Sequence, residues 1–150
     1  ISKEQVADTF REHHLDREAG RDLSEPTDLL SEARGELRQK FINADVGITG
    51  ANVLIAETGS ALIVTNEGNG DLTQSLPPVH IAITYIEKVV PTLEDATTIL
   101  RRLPRTATGQ DMTVYTTFFT GPKRADDLDW PEQFHIVILD TRRSGLLGGP

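Results

Sequence analysis

The amino-acid sequence predicts an α/β fold in which a mostly parallel sheet is flanked by helices. Three observations support this prediction. The first forty-odd residues carry apolar side chains at helical spacing, short apolar runs follow from Val46, and strand-like and helix-like segments alternate through the second half. At 150 residues the chain is long enough to bury one core. We divide it into a helical part (residues 1–45), an α/β core (46–140) and a tail (141–150).

The helical part is predicted from a recurring apolar stripe. Apolar residues stand at Val6, Phe10 and Leu15 and, more regularly, at Leu29, Leu30, Ala33, Leu37 and Phe41. Between these groups, Ser24-Glu25-Pro26-Thr27 resembles a helix start, for which Ser24 or Thr27 is the expected N-cap.

The core is predicted from short β-rich runs. Residues 53–56 and 61–64 flank Glu57-Thr58-Gly59-Ser60, which predicts two strands joined by a tight turn. Residues 80–86 and 112–119 predict further strands. Residues 134–140 are nearly continuously apolar, so we expect a strand that is covered on both faces.

One helix is expected between these strands. Thr92 is a suitable N-cap, and Glu94 and Asp95 place acidic side chains in the first turn. The helix should end near Leu103, because Pro104 disfavours the helical conformation of the residue before it.

Composition excludes several classes of function. The net charge of −8 and the pI near 4.9 argue against a nucleic-acid partner. No apolar run approaches the ~20 residues of a membrane-spanning helix, so we expect a soluble chain. The absence of cysteine excludes disulfides and cysteine-ligated iron–sulfur clusters within these residues, and it fits a cytoplasmic protein.

Glycine-rich polar loops are the strongest candidates for a ligand site. Backbone N–H groups in such loops can bind a phosphate or a carboxylate, although glycines also simply form tight turns. The candidate ligand-binding residues are Thr58, Gly59, Asn66, Glu67, Gly68, Asn69, Gly70, Thr108, Gly109, Thr120 and Gly121.

Glu57 is the candidate catalytic residue. It stands at a probable strand end next to a turn, where a buried carboxylate would serve as nucleophile or general base. The equally weighted alternative is a carboxylate that hydrogen-bonds the backbone of its own turn. No metal site is expected, since His13 and His14 would point apart on a helix and His80 and His135 begin different strands.

Six segments, taken together, resemble the LUD domain of the lactate-utilisation iron–sulfur proteins of the B type. They are ADVGITG (residues 44–50), AETG (56–59), TNEGNG (65–70), IEKVVPTLED (86–95), LPRTATGQ (103–110) and FHIVILD (134–140). The resemblance covers nearly the whole chain in order, and it departs from the family pattern at Ala51 and Thr141.

The resemblance implies a fold similar to the sugar-phosphate isomerase and CoA-transferase group. It implies that the chain is the C-terminal part of a LUD domain, whose opening strands precede Ile1, so that the sheet is incomplete here. In the CoA-transferase relatives a glutamate is the nucleophile, and Glu57 stands in a similar strand–turn context.

The resemblance also implies a function. The whole protein would be an oxidoreductase component for electron transport, which takes part in the oxidation of L-lactate to pyruvate with companion lactate-utilisation subunits. Its 4Fe-4S clusters would be held by cysteine motifs beyond Pro150, so this segment would carry no cofactor and would be inactive in redox chemistry. We expect it to bind a small anionic or nucleotide-like ligand and to form a homo-oligomer.

Two other functions stay open. The segment could be a non-catalytic assembly module that docks the companion subunits. The lack of cysteine and of a clear acid–base pair favours this function. It could also be the domain of an enzyme that binds CoA or a sugar phosphate.

Overall fold

The computed structural model describes residues 1–18, 20–65, 67–107, 109, 115–128, 131–142 and 145. Its chain forms two compact units, residues 1–43 and residues 44–150. The first is helical and the second contains a parallel sheet with helices packed against the strands, which confirms the predicted α/β class.

The first unit contains two helices, α1 (Lys3–His13) and α2 (Pro26–Ile42). A capping box begins α1, because the Ser2 hydroxyl accepts from the Gln5 N–H and the Gln5 side chain accepts from the Ser2 N–H. The helices pack through Ala7, Leu23 and Leu29, with Val6 and Phe10 partly buried beside them.

The predicted N-cap of α2 is wrong. Glu25 holds the N-cap position and makes no side-chain capping bond, while Thr27 lies inside the helix. The physical reason is Pro26 in the first turn, whose fixed φ is already helical and whose missing N–H needs no partner there.

A buried carboxylate joins the two helices of the first unit. Glu32 is 7% exposed and accepts hydrogen bonds from Arg21 Nε and, at 2.6 Å, from Arg21 Nη2, while His14 Nδ1 lies 2.7 Å from Glu32 Oε1. These bonds, those of Arg21 foremost, lower the pKa of Glu32 to about 2.

We expect Glu32→Gln to lower the free energy of unfolding by about 2 kcal/mol, because charge-assisted bonds to Arg21 are lost in a buried place. The loss should be present at neutral pH. It should shrink as the pH falls from 4.5 towards 2, where the wild-type carboxylate is itself protonated. Urea titrations followed by circular dichroism measure it. Glu36→Gln is the matched control, since Glu36 bonds Arg17 in a more exposed ion pair and should cost less than about 1 kcal/mol. Equal losses for the two variants would contradict the assignment.

The second unit contains the strands and two further helices. In its described part the elements are β1 (Val46–Gly50), β2 (Val53–Ile55), β3 (Ser60–Thr65), α3 (Asn69–Ser75), β4 (Val79–Tyr85), β5 (Val89–Val90), α4 (Leu93–Ala107), β6 (Tyr115–Phe119) and β7 (Gln133–Leu139). A single 3-10 turn, Ile86–Lys88, connects β4 to β5.

The strands form two sheets. The three-stranded sheet is parallel, in the order β1-β4-β7. The four-stranded sheet is mixed, in the order β5-β2-β3-β6. Strands β2 and β3 form the predicted antiparallel hairpin. The parallel pair β1 and β4 continues, after short connections, as the parallel pair β2 and β5 in the other sheet.

Two apolar clusters hold these layers together. One contains Ala51, Leu54, Ala61, Ile63, Ala82 and Phe119, with Phe134 packed against it, and it joins the two sheets. The other contains Val53, Ile55, Leu62, Val90 and Ala96, with Leu100 beside it, and it holds α4 against the four-stranded sheet. Apolar residues alternate along β2 and β3, so the side chains of the hairpin pack into both clusters, one on each face of the four-stranded sheet.

Helix α4 begins as predicted but ends later. The Thr92 hydroxyl accepts from the Asp95 N–H at 3.2 Å, and Asp95 Oδ2 accepts from the Thr92 N–H at 3.2 Å, which is a capping box. The expected end before Pro104 is wrong, since α4 continues to Ala107. Pro104 is buried and lies in the last turns, where its missing donor removes one helical hydrogen bond near an end that already lacks several.

Strand β7 lies where expected but is not covered on both faces. Ile136, Val137, Ile138 and Leu139 are each 36–50% exposed. The physical reason is that, among the described elements, only its neighbour β4 contacts β7 extensively, so no helix covers these side chains.

Helix α3 approaches β1 very closely at Gly47. A Cβ built on Gly47 would lie 1.7 Å from the carbonyl oxygen of Thr73 and 3.2 Å from Pro77 Cγ. Glycine therefore allows the backbone of α3 to contact the three-stranded sheet directly. None of the described helices is long and apolar enough to cross a membrane.

Candidate functional site

Three hydroxyl groups meet at one end of the four-stranded sheet. Thr58 Oγ1 donates to Ser60 Oγ at 2.8 Å, and Ser60 Oγ lies 2.7 Å from Thr120 Oγ1. The β3–β6 pairing brings the turn of the hairpin beside the end of β6, because Ala61 lies opposite Phe119. We call Thr58, Ser60 and Thr120 the hydroxyl cluster.

Two glycines shape the backbone around this cluster. Gly59 has φ +66° and Gly121 has φ +85°, a region that side chains disfavour. Apart from each glycine's two chain neighbours, no atom of the described residues lies within 4 Å of a Cβ built on either glycine. Among the described residues, these turns are therefore uncrowded on the side where a glycine Cβ would stand. Four of the predicted ligand-binding residues, Thr58, Gly59, Thr120 and Gly121, are thus brought together.

Glu57 lies on the same hairpin turn but is exposed. Its Oε1 accepts from the Leu93 N–H at 2.7 Å, and its own N–H donates to the Pro91 carbonyl at 3.1 Å. The carboxylate thus binds the N-terminus of α4, where a negative charge is stabilised by the helix dipole. It is neither buried nor bonded to its own turn, so its catalytic role stays a prediction.

The remaining predicted ligand-binding residues lie elsewhere. Glu67, Gly68, Asn69 and Gly70 follow the far end of β3, which rises over roughly 17 Å from Ser60 to Thr65. Gly109 lies just after α4. Asn66 and Thr108 lie outside the described residues. The structure therefore divides the described candidates among the two ends of β3 and the end of α4.

At this far end the described residues shape the start of α3. Gly68 is the N-cap with φ +71°, Asn69 Oδ1 accepts from the Gly70 N–H at 2.8 Å, and a Cβ on Gly70 would lie 2.8 Å from Thr65 Cγ2. These are contacts that form a tight junction between β3 and α3. Glu67 is exposed.

Asp71 ties α3 to β6. Its Oδ1 accepts from Thr117 Oγ1 at 2.6 Å and from Gln74 Nε2 at 3.0 Å. Gln74 is buried, and its Oε1 has no hydrogen-bond partner among the described residues.

Sequence reasoning missed the part played by two residues. Ser60 looks like an ordinary turn residue, and only its contact with Thr120, sixty positions later, distinguishes it. His80 is fully buried, with Nε2 2.7 Å from Thr49 Oγ1 and the rings of Phe119 and Phe134 at centroid distances of 5.2 Å. Burial lowers the pKa of His80 to about 4. The alternation of His80 with Ala82 in one strand was an available signal for an inward-facing ring.

His80 and His135 do not form a pair. Strand register sets His135 beside Ile81, on the opposite face from His80, and His135 is exposed. Among the described residues no three His, Asp or Glu side chains are grouped to hold a metal ion. The chain contains no cysteine, so its residues do not fit a cysteine-ligated iron–sulfur cluster.

The family of the chain follows from a comparison of its sequence with known domains. The LUD domain model matches residues 1–139, so the chain belongs to the LUD domain family. Lactate utilization protein B of Shouchella clausii is 46% identical over 147 residues, and the proteins of that name from Bacillus licheniformis and Bacillus subtilis are 44% and 45% identical. Each alignment covers 98% of this chain and 30% of the relative, so the chain spans less than a third of their length.

The fold has a match among solved structures. The crystal structure of a DUF162 family protein from Deinococcus radiodurans superposes with a TM-score of 0.53, covering 93% of this chain and 99% of the other. At 17% identity the likeness shows the fold alone.

Proposed function

We propose that this chain is the LUD-domain part of a lactate-utilisation protein of the B type, an iron–sulfur subunit that takes part in the oxidation of L-lactate to pyruvate. The observation that carries the proposal is the 44–46% identity to lactate utilization protein B along 98% of the chain. Companion subunits would complete the oxidoreductase. Clusters of the 4Fe-4S type would be bound by other parts of the longer protein, where they would carry electrons away from the substrate.

Within that protein, the hydroxyl cluster would bind a small anionic ligand. The hydroxyls of Thr58 and Thr120 are exposed beside the turns of Gly59 and Gly121, and Thr58 donates its proton to Ser60. A hydroxyl on a short side chain donates well to a carboxylate oxygen, a stronger acceptor than the atoms of a nucleotide base. The N-terminus of α4, by contrast, already binds the chain's own carboxylates.

The proposal is tested in a chimera. The matched segment of lactate utilization protein B from Bacillus subtilis is replaced by this chain, and the chimera is purified with its companion subunits. We expect L-lactate-dependent reduction of an electron acceptor. A folded chimera with the iron content of the parent and no such activity would overturn the proposal. The 150-residue chain alone should bind no iron and turn over no lactate, a prediction that iron analysis and the same assay check.

Glu57→Gln in this chimera separates a catalytic site from a scaffold. If Glu57 carries chemistry, the rate should fall by at least about a hundredfold while the subunits still assemble. If Glu57 only caps α4, the rate should stay within about twofold of that of the unsubstituted chimera, with a modest loss of stability. Glu12→Gln, on an exposed position of α1, is the matched control and should change neither quantity.

A second function, an assembly module that docks companion subunits, is favoured by one observation. The three-stranded sheet exposes apolar side chains at Val46, Ile48 and Val137, and β7 exposes Ile138 as well. Parallel sheets are rarely left uncovered on a face. Ile48→Lys should then abolish co-purification with the companion subunits, whereas Thr120→Val should leave it unchanged. Retention of the subunits by Ile48→Lys would contradict this function.

A further inference from the structure

We propose that Ser60 is a positioning residue: it links Thr58 and Thr120 in one directed chain of hydroxyl hydrogen bonds, which aims the Thr120 hydroxyl proton at a carboxylate oxygen of the ligand. The inference rests on the proposed function for the identity of the ligand. The hydrogen-bond chain itself rests on the geometry alone.

The link is buried between two exposed ends. Ser60 is 4% exposed, whereas Thr58 and Thr120 are both exposed. The separations of 2.8 Å and 2.7 Å are those of well-formed O–H···O bonds. A serine in this position therefore connects two exposed hydroxyls at one end of the four-stranded sheet.

The direction of the chain follows from counting protons. Three hydroxyls carry three protons, and the two bonds within the cluster use two of them. Thr58 donates to Ser60. If Thr120 also donated to Ser60, the Ser60 proton would be buried without an acceptor in the cluster, which is unfavourable. The favoured direction is therefore from Thr58 through Ser60 to Thr120, and the proton left over belongs to the exposed Thr120.

The proton left over defines the chemistry of the ligand. A hydroxyl that accepts one hydrogen bond is a stronger donor to the next group, because successive bonds polarise one another. Thr120 therefore suits an oxygen acceptor, and a carboxylate is the strongest of these. The neighbouring Glu57 repels an anion less than a free carboxylate would, since it binds the Leu93 N–H at the start of α4. A small carboxylic acid fits this combination, and the proposed function makes L-lactate and pyruvate the acids to test.

The test measures binding of L-lactate and of pyruvate to the full 150-residue chain by calorimetry, with L-lactamide as the neutral probe. We expect Ser60→Ala to weaken binding of the acids about tenfold, because the Thr120 hydroxyl loses the hydrogen bond that orients and polarises it. Ser60→Thr keeps the hydroxyl and should restore binding. Ser75→Ala is the matched control, since its hydroxyl bonds the Asp71 carbonyl within α3, and it should bind like the wild type.

A second readout keeps the hydrogen-bond chain testable without a ligand. In the wild type the Ser60 hydroxyl proton should exchange slowly enough to be seen by NMR, and Thr120→Val should make it exchange faster.

Unchanged affinity in Ser60→Ala would overturn the positioning role and leave the proposed function standing. A wild type that binds neither acid would overturn the ligand and weaken the proposed function, and a fast-exchanging Ser60 proton would overturn the chain of hydroxyls.

Discussion

Replacing Gly47 by alanine is expected to lower the free energy of unfolding by about 3 kcal/mol or more, the upper end of what overpacking costs. The added Cβ would lie 1.7 Å from the Thr73 carbonyl oxygen, which is a backbone atom and cannot rotate away. Either α3 moves off β1 or β1 bends, and both disturb the junction that also carries Asp71 and its bond to Thr117. Chemical denaturation of the two proteins measures the loss.

Gly50→Ala is the matched control on the same strand. Beyond its two chain neighbours, no atom of the described residues lies within 4 Å of a Cβ built on Gly50, and its backbone has no positive φ, so the free energy of unfolding should change by less than about 0.5 kcal/mol. If the Gly47 variant were as stable as the Gly50 variant, the close approach of α3 to β1 would be refuted.

The stability of the second unit should fall by roughly 3 kcal/mol as the pH drops from 6.5 to about 4. His80 is neutral in the folded state because burial lowers its pKa to about 4, whereas the unfolded chain takes up the proton near 6.5. Between these two values the unfolded state binds more protons, so acid favours unfolding. The stability that depends on a neutral His80 is therefore complete above pH 6.5 and lost below pH 4. Urea titrations across this range measure it.

His80→Phe should flatten that part of the pH profile, since phenylalanine packs between Phe119 and Phe134 and does not titrate. It should cost some stability at pH 7, where Thr49 loses its 2.7 Å partner. His135→Gln, on the exposed strand β7, should leave the profile as in the wild type. A wild-type profile that is flat between pH 6.5 and 4 would show that His80 is not held neutral by burial.

Most of the elements were predictable because their signals are local. The hairpin of β2 and β3 follows from two apolar runs around a polar turn, and Thr92 begins α4 by a capping pattern of four residues. The errors arise where local signals compete. Pro104 predicts that α4 ends, but α4 continues to Ala107 with Pro104 buried. The apolar run of β7 predicts a strand, but it does not indicate whether another layer covers that strand.

The candidate site was less predictable, for a reason of geometry. Loops that are neighbours in sequence, such as those at Gly59 and Gly68, lie at opposite ends of β3 because a strand separates its two ends by its full length. Conversely, Ser60 and Thr120 are far apart in sequence and meet only through the pairing of β3 with β6. Pairing between distant strands is not encoded in any single segment.

The doubled connection between the two sheets has a mechanical consequence. Among its described strands, the chain passes between the two sheets four times. The two shortest crossings, at residues 51–52 and at 86–88, lie side by side because β1 pairs with β4 and β2 with β5. The Ala51 N–H donates to the Ile83 carbonyl and Thr84 Oγ1 donates to the Ala51 carbonyl, so one crossing is anchored to the strand that leads to the other. Two short tethers side by side hold these ends of the two sheets together and leave little freedom for one sheet to slide past the other.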